Sequence, residues 1–458
     1  KVKARKDGEY LALWGVGNHG GGPSDKDLAD IEELKKTDEK YEYVHSYPEA
    51  YFDENEPKTK IDKSLRISMP GCYTSLINIK QKHIKLENEL YLAEIMSAVS
   101  SIKGLDEYPT EKLYACFENL MNGEFHDVLP GSCIKAGEDN GTSLFDGGYL
   151  EATKIKTKAY FTLLNGQSVA KEGEYPILVF NPHPYKITEN IECEFMLADQ
   201  NWSEQVSVIT VKDGDKTIKS QQTKEDSTIN LDWRKKVIFE AELPPMSMKR
   251  FSVYVERKNK EDKKKPESFL FDNGVSRVEI DKTTGLLKSY SVNGTKYVEN
   301  GFSLCMYEDN PDPWAMGVFQ QKGIGENEEL FALSEKPSGI FGGLKSVEVI
   351  EDGDIYTGVE AFFEKDDSKA RIEYRIYKNS PDVDVIVNLY FNEANKVVKM
   401  KLPIIGGEKV IGQTAFGTEE LFSDGRENVS QRFTGVKAGD KVVALIDKSR
   451  YGSSYKDG

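Results

Sequence analysis

"YLALWGVGNHGGGPS" occupies residues 10–24, and two readings of it lead to two different folds. Gly15-x-Gly17-x-x-Gly20 has the spacing of a dinucleotide loop, whose glycines let the backbone reach a pyrophosphate at a helix N-terminus. That reading needs further βαβ units downstream. Pro23 removes one of the N–H donors, and His19 adds bulk where the phosphate must approach. The glycines better suit a loop that closes the C-terminal end of a barrel strand, residues 9–14, and presents Asn18 and His19 to a polar substrate. Ser24-x-x-Asp27 then starts a helix with Leu28, Ile31 and Leu34 on one face. "YEYVHS" (41–46) reads as a second strand, and residues 53–64, polar and with Pro57, as a loop.

Downstream the pattern is helical. Leu76, Ile79, His83, Leu86, Leu90 and Ala93 recur at spacings of three and four, which predicts a helix over Tyr73–Ser100. A second stripe, Ile77, Ile84, Tyr91, Ile95 and Ala98, predicts that this helix is sandwiched between neighbours. Further helices are predicted over about 110–122 and 150–164, giving a three-helix bundle. After about Gly173 the period falls to two, in "YPILVF", "QVSVITV", "KVIFEAEL" and "RFSVYVE". A lysine-rich stretch, "RKNKEDKKKPES" (257–268), reads as a solvated linker. Beyond it "SRVEID", "GVEAFFE", "ARIEYRIY" and "DVIVNLYF" predict a large antiparallel sandwich. The expected fold class is multidomain α+β: the end of a β/α barrel, a three-helix bundle, then all-β domains. The expected divisions are 1–50, 51–170, 171–262 and 263–458.

Composition narrows the function. The 458 residues suffice for several cores, and the net charge of −16 argues against nucleic acid and anionic membranes as partners. No apolar run approaches the ~18 residues of a membrane helix. Five widely spaced cysteines, with no CxxC, fit reduced thiols and a cytoplasmic location. The chain begins with Lys1 and reads as an internal piece of a longer protein.

Five histidines are the scarce chemical resource. His45 and His183 sit in strand-like and Pro-flanked contexts that suit structural roles. His83, on an apolar helix face, suits a satisfied core or interfacial histidine. His126 lies where a helix gives way to a Pro-Gly turn, in "NGEFHDVLPGS", and Asp127 follows it. An imidazole beside a carboxylate suits a zinc-type ion, with the remaining ligands supplied from elsewhere.

"GVGNHGGGPS" (15–24), "MPGCYTS" (69–75) and "EFHDVLPGSCI" (124–134), in this order, resemble the middle of family 38 glycoside hydrolases, the α-mannosidases. "VFNPHPY" (179–185), "VSRVEIDKTTGLLKS" (275–289), "YEDNPDPW" (307–314) and "DKSRYGSSYKDG" (447–458) extend the resemblance over nearly the whole chain, closest to the bacterial and cytosolic branch. It implies a retaining exo-α-mannosidase that acts on mannose-containing oligosaccharides, with zinc or another divalent ion at the sugar site. It implies His126 as a metal ligand, and Asp127, Asn18 and His19 as substrate contacts. The nucleophile and the other ligands lie upstream in the family, so no nucleophile is expected in this chain. Asn18 stands where many relatives carry an Asp. A non-catalytic carbohydrate-binding or scaffold protein of the same architecture is the alternative, and a homo-oligomer is left open.

Overall fold

A stripe of apolar side chains at helical spacing is stable only when another surface covers it, and the bundle shows which stripes are covered. The computed structural model describes residues 8–15, 22–56, 60–62, 69–227, 231–260, 266–308, 313, 343–365, 367–394, 396–415 and 417–458. The chain divides into two units, 1–64 and 65–458.

In the first unit, helix α1 (Asp25–Thr37) begins at the anticipated cap. The Ser24 hydroxyl accepts from the Asp27 amide at 3.1 Å, and the Asp27 carboxylate accepts from the Ser24 amide at 2.9 Å. This reciprocal pair satisfies two of the donors a helix start leaves open. A short helix α2 (Pro48–Glu54) follows, with proline at its first turn, where the missing N–H costs nothing. Residues expected as a loop from 53 onward therefore begin inside a helix. The two expected strands are corrected: residues 9–14 and 41–46 are irregular, and Leu13 is 84% exposed. Alternating apolar residues become a strand only when a neighbour accepts their hydrogen bonds, and no strand pairs with them among the described residues.

In the second unit, a one-turn helix α3 (Gly71–Thr74) is capped by Ser75, and α4 (Ile77–Ile102) starts after Leu76, whose backbone is left-handed. The expected helix over 73–100 is thus broken near its start. Helices α5 (Thr110–Gly123) and α6 (Lys135–Leu163) complete a bundle. Its core is Ile79, Leu86, Leu90 and Ala93 of α4, Leu113, Cys116 and Leu120 of α5, and Phe145, Ala152 and Ile155 of α6. The first stripe is the buried one. In the second, Ile77 and Tyr91 are exposed while Ile84, Ile95 and Ala98 are half-buried, so that side of α4 is covered only in part.

Helix α6 starts about fifteen residues before the expected position. Its early turns contain Gly137, Gly141, Gly147 and Gly148, and each glycine costs a helix about 1 kcal/mol relative to alanine. Packing overrides propensity here. A Cβ on Gly141 would lie 2.3 Å from Val128 Cγ1, and one on Gly148 would lie 2.8 Å from Leu86 Cδ2. Glycine lets α6 lie close against α4 and the turn after α5.

The β region begins with β1 (Glu174–Asn181), β2 (Ile187–Asn201), β3 (Val206–Asp213), β4 (Lys216–Thr217), β5 (Ser220–Thr223), β6 (Asp232–Leu243) and β7 (Ser247–Lys258). Sheets β1-β7-β3-β4 and β2-β6-β5 enclose Val211, Val237, Phe239, Leu243, Phe251 and Val253. The 15-residue β2 had no clean alternation in the sequence because much of it is only half covered. The asparagine of "VFNPHPY" fixes the turn after β1. Asn181 is fully buried, and its Nδ2 donates to the carbonyls of Tyr185, Leu243 and Pro244, while its Oδ1 accepts from the His183 amide. Asn181→Ala should cost about 1–3 kcal/mol, because it strands buried backbone groups. A lowered urea midpoint with unchanged slope would report it; an unchanged midpoint would contradict this role.

The second β region comprises β8 (Leu270–Asp272), β9 (Ser276–Ile280), β10 (Leu287–Val292), β11 (Thr295–Gly301), β12 (Ser303–Glu308), β13 (Leu344–Asp352), β14 (Tyr356–Lys365), β15 (Ser368–Tyr377) and β16 (Val383–Tyr390). It continues with β17 (Lys396–Lys401), β18 (Gly407–Thr414), β19 (Gly417–Glu420), β20 (Asp424–Val429), β21 (Gln431–Ala438), β22 (Lys441–Ile446) and β23 (Gly452–Lys456). Every strand pairing among the described residues of this region is antiparallel, including the four-stranded sheets β13-β14-β15-β16 and β19-β18-β21-β22. Strand β15 alternates strictly, burying Ser368, Ala370, Ile372, Tyr374 and Ile376, as expected for a half-covered antiparallel strand. The mixed α+β class expected from the sequence is the one observed, while residues 261–265 of the lysine-rich stretch lie outside the described residues.

Candidate functional site

The turn that carries His126 is built by closing two successive loops of backbone. The Val128 and Leu129 amides both donate to the Phe125 carbonyl, at 2.8 and 3.2 Å, and the Gly131 amide donates to Val128 O at 3.1 Å. The Ser132 amide closes the far side on Asp127 O at 3.1 Å, and its hydroxyl reaches Asp127 Oδ1 at 3.4 Å. Gly131 has φ +82°, a conformation costly for a side chain, and a Cβ there would lie 2.7 Å from Ser75 Oγ.

That contact shows what the turn rests on. Ser75 Oγ donates to Pro130 O at 2.7 Å. Lys80, only 3% exposed on α4, donates its ammonium to Leu129 O at 2.9 Å and to Ser75 O. The segments 69–75 and 124–134, far apart in sequence, are thereby fastened to each other. Burial pulls the Lys80 ammonium down from 10.5 to about 8. A lysine lowered in the folded state opposes folding while charged. From about pH 8 to 10.5 the unfolded chain binds more protons, so this residue makes stability rise with pH by an amount on the order of 3 kcal/mol. Denaturation over that window should show the rise in the wild type and not in Lys80→Met. A parallel rise in both would remove Lys80 as its source.

On this platform the His126 imidazole is 64% exposed and the Asp127 carboxylate 45% exposed, with Nε2 and Oδ2 3.8 Å apart. The Phe125 ring lies against the imidazole, with centroids 4.3 Å apart. Both side chains are therefore open to solvent on a backbone turn that is hydrogen-bonded in place. The donor chemistry, one imidazole nitrogen and one carboxylate, suits a borderline divalent ion. Among the described residues no group of three His, Cys, Asp or Glu side chains gathers to hold a metal.

The other histidines fall elsewhere. His83 Nε2 pairs with Glu124 Oε1 at 2.7 Å, and its ring meets Phe145 edge-on, so it ties α4 to the end of α5 as an interfacial histidine. Its buried Nδ1 has no partner among the described residues. His45 lies 3.6 Å from Glu32, and His183 stacks on Tyr185. Asn18 and His19 lie outside the described residues. Sequence reading passed over Lys80 and Ser75. The available signal was a charged residue one position past Ile79, on the covered face of a helix.

The far end of the chain also touches this platform. Gly452, at the start of β23, meets the 69–75 segment so closely that a Cβ there would lie 2.4 Å from Thr74 Cγ2 and 2.6 Å from Glu427 Oε1. Arg432 of β21 lies 3.5 Å from Glu87 of α4.

Residues 69–163 match the alpha mannosidase middle domain, and residues 271–458 match the C-terminal domain of glycosyl hydrolases family 38. The chain belongs to family 38 of the glycosyl hydrolases. Alpha-mannosidase G of Dictyostelium discoideum is 23% identical over 428 residues, covering 85% of this family 38 chain and 37% of that protein. Alpha-mannosidase 2C1 of Mus musculus is 25% identical over 183 residues, 39% of this chain and 17% of its own length. The chain thus spans well under half the length of these relatives. A family 38 protein from Enterococcus faecalis has the same fold, with a TM-score of 0.70 at 14% identity over 94% of this chain and 57% of that one. None of the five cysteines forms a disulfide among the described residues, and no helix among them is long and apolar enough to cross a membrane.

Proposed function

We propose that this family 38 chain is part of a retaining α-mannosidase that hydrolyses terminal α-D-mannosyl linkages of glycans in the cytoplasm. One observation carries the reading: two family domains follow in order along one chain, and the first contains a turn with His126 and Asp127 exposed on a rigid support. His126 serves as a ligand of a divalent ion, zinc by the resemblance. Asp127, with Asn18 and His19, contacts the sugar. A metal at such a site supplies Lewis acidity and grips vicinal hydroxyls. The protein's own part is to hold the backbone turn that presents the imidazole and carboxylate, to which the Ser75, Lys80 and Gly131 contacts contribute. Residues 1–50 then represent the end of a catalytic barrel, 51–170 the bundle, 171–262 a small sandwich and 263–458 a large one. Alone, this stretch is inactive, because the nucleophile is supplied from outside it.

The full-length protein should release the aryl alcohol from an aryl α-mannoside, whereas residues 1–458 of this sequence should not. A retaining enzyme forms a glycosyl-enzyme intermediate and releases α-mannose first. Early detection of β-mannose by NMR would refute retention, and no turnover by the full-length protein would refute the activity. Asn18, in place of an acid, favours a non-catalytic carbohydrate-binding protein as the second reading. Binding of mannosides without turnover would establish it.

A further inference from the structure

The loop that leads from β2 of one sheet to β3 of the other carries a feature that the proposed catalytic turn does not use. Trp202 at its tip is 77% exposed. A single exposed apolar side chain needs no explanation. Trp202, however, lines one concavity of about 440 Å³ together with Trp233, Asp199, Gln200 and Ala198.

The backbone that carries these residues is held by neighbouring hydrogen bonds. Asn201 is 6% exposed, and its Nδ2 donates to Gln205 O and to Asp232 Oδ2, both at 2.6 Å. Its Oδ1 accepts from the Ser203 amide and hydroxyl, which fixes the residues on either side of Trp202. Asp232 also accepts from the Ser207 amide at 3.0 Å and pairs with Lys235, itself buried. Trp233 is half-buried and anchored by its indole N–H on Leu197 O at 3.1 Å. An indole held in place this way loses little freedom when a ligand stacks on it.

We propose that this concavity is a second carbohydrate-binding site, and that it takes a pyranose ring of a neutral oligosaccharide. The C–H face of a pyranose matches an indole plane. Its hydroxyls match an open carboxylate and amide, supplied here by Asp199 and Gln200. A phosphorylated or carboxylated sugar would meet Asp199 as a like charge, which restricts the class to neutral sugars. A cage for a quaternary ammonium would need several enclosing aromatic faces, and Trp233 is half-covered. The sugar's identity as mannose rests on the proposed mannosidase activity; the site itself does not.

The test is an NMR titration of the chain, with the indole N–H signals as readout and mannotriose, maltotriose and choline as probes. Mannotriose should shift the Trp202 and Trp233 signals. Trp202→Ala should weaken its binding about tenfold or more, and Trp202→Phe should retain most of it. The same binding should persist in His126→Ala, which separates this site from the proposed catalytic turn. Equal affinity in wild type and Trp202→Ala would overturn the proposal, as would a response to choline alone. Preference for maltotriose would overturn the mannose assignment. Trp202 shielded from mannotriose in the full-length protein would overturn the site.

Discussion

His126→Ala in the full-length protein should lose its metal and more than about 100-fold in kcat/KM towards an aryl α-mannoside. The size follows from its position. Removing a group that only orients a metal ligand already costs about 10–100-fold, and the proposed function makes His126 a ligand itself. Its nitrogen is exposed, its carboxylate neighbour stands 3.8 Å away, and the turn below is anchored to a second segment. The substitution removes an exposed ring and leaves the hydrogen bonds of the turn in place, so folding should be preserved. Metal analysis after dialysis therefore reads the ligand role separately from the rate. A variant that keeps both its ion and its turnover would remove His126 from the site. One that keeps the ion but loses turnover would make it a substrate contact.

Gly123→Ala should destabilise the second unit by about 1–3 kcal/mol through overpacking. A methyl group there would lie 2.4 and 2.5 Å from two atoms of the Phe145 ring. Phe145 is fully buried and has His83 against its ring, so it has little room to yield. Phe145→Ala alone should cost about 3–5 kcal/mol from lost burial and the cavity left behind. The two changes should not add. With the ring gone the three nearest atoms to the alanine methyl are removed, so the Gly123→Ala penalty should largely vanish in the double variant. Urea denaturation of the four proteins measures this coupling. An unchanged penalty in the Phe145→Ala background would mean that the glycine is not required by the ring.

These two sites illustrate what the sequence could and could not reveal. The first stripe of α4 and the cap at Ser24 were legible because each depends on residues a few positions apart. The β strands after Gly173 were legible for the same reason. The first half of α6 was not, since its glycines oppose helix formation locally and are explained only by Val128 and Leu86 across the bundle. The runs 9–14 and 41–46 erred in the opposite direction: a strand-like pattern lacks pairing among the described residues. At the candidate site, His126 and Asp127 stood out as adjacent polar residues at a helix end. Lys80 and Ser75 did not, because their role is visible only when Leu129 and Pro130 are brought to them. The exposed Trp202 was likewise silent, because nothing in a linear sequence distinguishes a covered indole from an open one.

The contact of Gly452 with Thr74 has a consequence for how the protein is made. One side of the 69–75 segment is completed by a residue synthesised almost four hundred positions later. Local contacts let the bundle form while synthesis continues, whereas contacts this distant must await chain closure and are slow. The support beneath the His126 turn should therefore mature in two stages, a bundle first and a β-strand seal afterwards. Translation stalled before residue 452 should leave that platform open along the face where β23 belongs.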